Sequence, residues 1–475
     1  MLTGTANGTS RFSFWPRVRE FAVPPSMIET ATARRHVGDW AGACAAAGID
    51  IDFNPRSVAH THGRELLAQL RADLRRLAPD LLRWHLPRIA PDGLLRPGLT
   101  VALARYEGGA GRAGAGPVHL VVRTPPAWAD AGQRISLALW DGSLADAGAR
   151  RHPHPHPDRR FRLDLHRHLW DARRTGDLAI RAGATGTDSP SHEGRSSLDP
   201  AVLERVPPER RCAVDRWAAE AEILLRAEGR STGPVAVRLG ARRRLDLELV
   251  ADEDGAGPPT LRIAAPESTG AASAPPLLLP DAATWVLPDL DLLRAGAIEV
   301  DRLHPLVASA LVPDHPPSPG PSRTPEPGGA PRLVECRGAR HRIGLVDGVL
   351  APLDHDPAEI RREELLAALT GTPLACLRAI DEAHRSPDCL PGVRERLDHG
   401  DAAGALAVVE GLLGPDALLR DGTLWDELEA AARRRIVHGL FRAGMVGPGP
   451  TSGRNLPHGL RPRGLRSHPR EMSTR

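Results

Sequence analysis

The chain contains no lysine; all 62 of its basic side chains are arginines. Schiff-base enzymes and P-loop NTPases use an ammonium group as nucleophile or phosphate ligand, so neither class fits unless another residue or chain supplies it. Aromatic residues are 3% of the chain, with nine Trp but a single Tyr, Tyr106. Its cores must therefore be built mainly from Leu, Val and Ala. Cysteine is sparse and odd in number: Cys44, Cys212, Cys336, Cys376 and Cys389 are widely spread with no CxxC. That pattern excludes a disulfide framework and points to reduced thiols. Long apolar runs are missing too. The opening MLTGTANGTSRFSFWPRVREF has no apolar signal core, and no later run approaches a membrane span, so a soluble cytoplasmic protein is expected. Neither sign of charge dominates, the formal net charge being +3. No strong global field is left for nucleic acid or an anionic membrane, even at a pI of 8.8.

What the chain does have is glycine (47), proline (46) and arginine, the signature of a GC-rich bacterial genome. At 475 residues it can bury a sizeable core and should hold roughly two to four domains. The clearest helical periodicity is Leu66, Leu67, Leu70, Leu74 and Leu77, recurring at three- and four-residue steps with Arg64, Arg71, Arg75 and Arg76 mostly between them. That apolar stripe has to be covered. Upstream, Ser26 with Glu29 predicts a helix start, running to Val37 before a turn at Gly38-Asp39. The phrase GDWAGACAAA from Gly38 has an echo, GDAAGALAVV from Gly400. The two resemble units of a helical repeat, but two loose copies fall short of an array, and chance in an alanine-rich chain accounts for them.

Between these helical blocks lie short alternating runs separated by Gly- and Pro-rich turns: Leu99 to Glu107, Pro117 to Pro125, Ile135 to Gly142 and Arg160 to Trp170, with a further short strand ending near Ile180. They read as antiparallel strands. The segment from Pro207 to Gly229 predicts an amphipathic helix with Val214, Trp217, Ala221, Leu224 and Leu225 on one side, followed by three strands. The expected fold is α+β and multidomain, with a helical N-terminal block, an antiparallel β-rich middle and a β-then-α-helical C-terminal domain. The expected divisions are a tail at 1–24, a helical block at 25–95, an antiparallel β unit at 96–185, and an α+β unit at 198–312. A Pro-rich linker at 313–331, a β-meander with helices at 332–446 and a disordered basic tail at 447–475 complete the chain.

The candidate chemistry centres on RHPHPHPDRRFRLDLHRHLWD, which holds His152, His154, His156, His166 and His168. On a strand from Arg160 to Trp170, His166 and His168 share one face with Arg162 and Asp164. Two imidazoles at i and i+2 can ligate one divalent metal, with Asp164 or an upstream histidine as third ligand. The competing reading places Phe161, Leu163 and Leu165 on the buried face and leaves the histidines solvated. The literal GxGxxG at Gly109, Gly111 and Gly114 precedes a strand rather than a helix, so a hairpin loop is expected and a nucleotide site is not. Asp252 to Gly255 reads as an acidic turn. Asp354, His355 and Asp356 precede a helix, where acidic residues serve as caps. Cys376 sits among Leu374, Leu377 and Ile380 and reads as core, and no catalytic signature surrounds it or Cys389.

With no catalytic constellation, no lysine chemistry and helical hairpins at both ends, the leading expectation is a non-catalytic cytoplasmic interaction or scaffold protein. Its partner would be a protein, with no membrane, nucleic acid or cofactor required. The alternative is a divalent-metal-binding protein or metal-dependent enzyme using His166, His168 and Asp164. A second alternative is nucleic-acid binding through the Arg-rich tail.

Overall fold

The computed structural model describes residues 8–107, 116–143, 151–184, 197–207, 211–240, 242–251, 259–264, 275–315, 332–336, 338–371 and 373–447. The Gly109–Gly114 loop, the Asp252–Gly255 turn, residues 316–331 of the Pro-rich segment and the tail from 448 lie outside them. The fold is α+β and multidomain, with helical N- and C-terminal regions. Two compact units divide the chain: Met1–Ala127 with Arg134–Ser318, and Trp128–Gln133 with Pro319–Arg475. No described helix is long and apolar enough to cross a membrane.

The first unit opens with α1 (Gly8–Phe21), α2 (Pro25–His36), α3 (Trp40–Ala46), α4 (Pro55–Arg76) and α5 (Pro79–His85). α1 corrects the expected loose tail at 1–24. Trp15 and Val18 are buried, and Arg19 donates Nε and Nη2 to the two carboxylate oxygens of Asp289 at 3.0 and 2.8 Å. A partner 270 residues away, invisible to local pattern, makes that segment helical. α2 starts one residue before the expected Ser26 cap, because Pro25 supplies the fixed φ that suits a first helical position. Asn54 caps α4 from Arg56 N–H, and Leu66, Leu67, Leu70 and Leu74 are buried as their spacing requires. Trp40 and Phe53 face Leu67, Leu70 and Leu74 across a cleft of about 320 Å³, with Arg71 and Arg75 also lining it.

The sheet beyond has the order β1-β4-β3-β2, with β1 (Ile49–Ile51), β2 (Thr100–Tyr106), β3 (Val118–Arg123) and β4 (Ile135–Trp140). β2–β3 and β3–β4 are antiparallel and β1 joins β4 in parallel. A second sheet runs β5-β8-β7-β6-β9: β5 (Ser197–Leu198), β6 (Gly233–Arg238), β7 (Arg244–Val250), β8 (Thr260–Ile263) and β9 (Leu277–Leu278). Its hairpins are antiparallel, and its two edge strands are parallel to their neighbours. The helices of this half are α6 (Leu178–Ala182), α7 (Pro200–Arg205), α8 (Trp217–Ala227), α9 (Asp281–Thr284), α10 (Pro288–Arg294) and α11 (Pro305–Leu311). Ile180 thus lies in a helix, not in the short strand expected there. α8 buries Trp217, Ala221, Leu224 and Leu225 against Val235, Val237, Leu247 and Leu249, the face its periodicity predicts.

The second unit begins with an antiparallel meander, β10 (Arg332–Cys336), β11 (Ala339–Val346) and β12 (Val349–Pro352). Helices α12 (Pro357–Thr370), α13 (Ala375–Arg385), α14 (Leu390–His399), α15 (Ala402–Leu413) and α16 (Thr423–Ala443) follow. Its apolar interior is small: one cluster centres on Leu390, Val393, Leu397, Val409 and Leu413, and another is formed by Cys336, Ile343, Cys376 and Ile380.

Candidate metal centre

The expected strand from Arg160 to Trp170 does not form. Arg162 makes a single bridge to Ala102, Asp164 N–H donates to the Ala102 carbonyl, and the chain then turns into a 3-10 helix at Arg167–Leu169. Local turns at Leu165 and His166 take the backbone hydrogen bonds that a strand would have offered to a neighbour. The two histidines consequently go inward: His166 is 2% exposed and His168 5%, so they form no solvated face.

The structure brings the two imidazoles near each other, with ring centroids 5.8 Å apart. Asp164 is elsewhere engaged, accepting from Arg162 Nε and Nη2 at 2.8 to 3.0 Å. Ligand atoms of the three residues do not lie within 4.8 Å of one another. His166 Nε2 lies 3.2 Å from Glu220 Oε2, and Arg181 donates to both oxygens of that carboxylate. Burial alone would raise the Glu220 carboxyl, but His166 and Arg181 together hold it well below the usual carboxylate range. His168 is held far below the ordinary imidazole value by burial first, then by His166 and Arg181.

The upstream histidines are structural ties. His152 Nε2–H donates to the Thr124 carbonyl at 2.9 Å, while Nδ1 accepts from His154 N–H. Burial lowers its pKa to about 4. The His156 ring meets Trp140 edge-on at 4.9 Å.

Among the described residues, the set whose ligand atoms do converge is Cys336, His355 and Cys376, all within 4.8 Å of one another. Three elements deliver them. Cys336 ends β10 and pairs with Ala339 at the start of β11. Cys376 lies in the first turn of α13 and is fully buried. His355 sits where the chain leaves β12 for α12, between two aspartates with structural duties. Asp354 accepts from Arg342 N–H and Nη2, both at 2.7 Å, and these bonds hold its carboxyl down to about 2. Asp356 caps α12 from Ala358 N–H at 2.8 Å, the capping role its position predicts.

With both aspartates committed outward, the imidazole turns in. His355 Nε2 is 3.5 Å from Cys376 Sγ, and the opposite nitrogen, Nδ1, is 3.7 Å from Glu359 Oε2. The ring stacks on His341 at a centroid distance of 4.2 Å and an interplanar angle of 15°. Burial, and then the adjacent Cys336, push the Cys376 thiol up to about 11. Cys389 is not part of this cluster. Local reading passed over the set because its members stand nineteen and twenty-one positions apart, on a strand, a loop and a helix. A buried cysteine beside an Asp-His-Asp helix entry is the faint signal that was present.

Comparison of the chain with protein-family models, with curated proteins and with solved structures found no match to any of them.

Proposed function

We propose that this is a non-catalytic interaction protein that presents its second unit to a protein partner. The observation that supports this is α12. None of its fourteen residues is buried, and Leu365, Leu366 and Leu369 are 64%, 50% and 85% exposed. Leu365 and Leu369 are one helical turn apart, and Leu366 is three residues before Leu369, so the three form a stripe. A stripe of leucines facing water is the form in which an amphipathic helix enters an apolar groove on another protein. The rest of the unit agrees with this reading. Leu333, Val346, Leu418, Trp425, Ile436 and Met445 are exposed as well.

The test is a Leu365→Glu/Leu369→Glu double variant, compared with wild type by in-cell cross-linking and quantitative mass spectrometry. Loss of a stoichiometric partner from the variant, with folding intact, supports the reading. Identical cross-linked sets for the two proteins would retire it.

A further inference from the structure

We infer that Cys336, His355 and Cys376 bind one Zn²⁺, which ties the β10–β11 hairpin, the entry to α12 and the start of α13 together. Three features point to this. The donor set is two thiols and an imidazole, which suits zinc in tetrahedral geometry and is too soft for magnesium or calcium. The donors come from three separate elements, and their ligand atoms converge within 4.8 Å of one another beside a small apolar cluster. The imidazole is also aimed for the task. Its Nε2 faces the sulfur and its Nδ1 faces the Glu359 carboxylate, the arrangement in which a second carboxylate fixes the tautomer and raises the basicity of a metal-bound histidine.

Rival places in the molecule offer less. His166 and Asp164 spend polar atoms on Glu220, Arg162 and a backbone carbonyl. The cleft beside α4 is lined mostly by apolar side chains with two arginines, and nothing in it defines a ligand beyond an apolar anion.

Binding follows a simple balance. The two thiols lose their protons to solvent, the imidazole binds neutral through Nε2, and the dication meets two thiolates, so two protons leave per zinc and no oxidant or reductant takes part. Among the described residues no fourth His, Cys, Asp or Glu joins the set. Glu359 acts through His355 as a positioning residue.

The experiment uses the full-length chain, purified under reductant, stripped with a chelator and dialysed against one equivalent of Zn²⁺ or Co²⁺. The expected result is one zinc per chain by elemental analysis, and, with cobalt, the intense thiolate-to-metal charge-transfer absorption. Cys336→Ser/Cys376→Ser and His355→Gln should lose the metal, Cys389→Ser should keep it, and Glu359→Gln should weaken binding by about tenfold. The Leu365→Glu/Leu369→Glu protein should bind zinc as wild type does, which separates this inference from the partner reading. If a serine variant fails to fold, the cobalt spectrum of the wild type still decides. Metal-free wild type after reconstitution, a cobalt complex without thiolate absorption, or full zinc content in a folded double-serine variant would each overturn the assignment.

Discussion

The two units share a piece of local grammar and put it to different surroundings. In the first, α2 ends at Gly38 with φ +79°, Asp39 caps α3 by accepting from Gly42 N–H at 2.8 Å, and Arg34 reaches back to the same carboxylate at 3.3 Å. In the second, α14 ends at Gly400 with φ +90°, Asp401 caps α15 from Gly404 N–H at 2.9 Å, and Arg396 holds it at 3.0 Å. A Cβ on either Gly42 or Gly404 would meet its capping carboxylate at 2.1 Å. The echo between GDWAGA and GDAAGA is thus one corner built twice. What differs is what lies around it. The first unit seals forty buried residues into one core and closes it with internal charge pairs. The second has clusters of eight and four, yet carries thirteen of the sixteen large hydrophobics that stand exposed among the described residues. One unit satisfies its own surfaces and the other leaves them for something else, and that contrast underlies our functional reading.

The sharpest way to break the contrast is Asp289→Ala. Asp289 is fully buried, accepts from both Arg19 and Trp84, and its loss strands a guanidinium that is 2% exposed. The first unit should lose about 3–5 kcal/mol, seen by pulse proteolysis in urea with the fragments assigned to each unit, while the second unit is unchanged. A cost near zero would mean that the internal pair does not close the core.

Acid gives the next largest effect. Burial, mainly, lowers His85 to about 3, His152 to about 4 and His168 well below its ordinary value, and all three lie in the first unit. His85 Nδ1 sits 3.1 and 3.0 Å from two carbonyl oxygens, which places a proton there and leaves Nε2 bare. Unfolded histidine titrates near 6.5, so below that value the unfolded chain binds more protons, and stability rises with pH. The contribution is complete above about pH 6.5 and is lost as pH falls toward the folded values. Glu220, depressed in the fold, adds a loss of the same sign below about pH 4.3. The urea midpoint of the first unit should drop between pH 7 and pH 4.5 by more than that of the second, where His384 is the lowered histidine. Equal drops would erase the distinction.

Smaller still are the paired corners. Asp39→Ala and Asp401→Ala should each cost about 1 kcal/mol, the similarity being the point, with hydrogen exchange at α3 and α15 as the readout. The Leu365→Glu/Leu369→Glu variant should change stability by no more than about 0.5 kcal/mol, because neither side chain is buried. A larger loss in its thermal melt would show that α12 packs within its own unit.

Much of this architecture was legible because it is local. The α4 stripe, the α8 face, the three β2–β4 strands and the five C-terminal helices carry their periodicity or their punctuation in consecutive residues. What escaped was non-local. α1 is tied to Asp289 through Arg19, and residues 160–170 abandon a good alternating pattern as turns at Leu165 and His166 take their backbone hydrogen bonds. The capping of α12 by Asp356 could be read from the sequence, whereas the use of His355 could not. His166 and His168 were legible as neighbours, but their burial was not, since it depends on Glu220 and Arg181 arriving from elsewhere in the chain. The Cys336–His355–Cys376 set is the extreme case, formed only when a hairpin, a loop and a helix are already in place.

The Arg19–Asp289 pair has a consequence for the order of events during synthesis. The Gly8–Phe21 helix leaves the ribosome before the carboxylate it binds, 270 residues downstream, has been made. At 5–20 residues per second that interval is roughly 14–54 s. Throughout it Trp15, Val18 and a guanidinium lack the carboxylate that closes them in, which makes the nascent N-terminal block a client for whatever shields apolar surface at the ribosome exit.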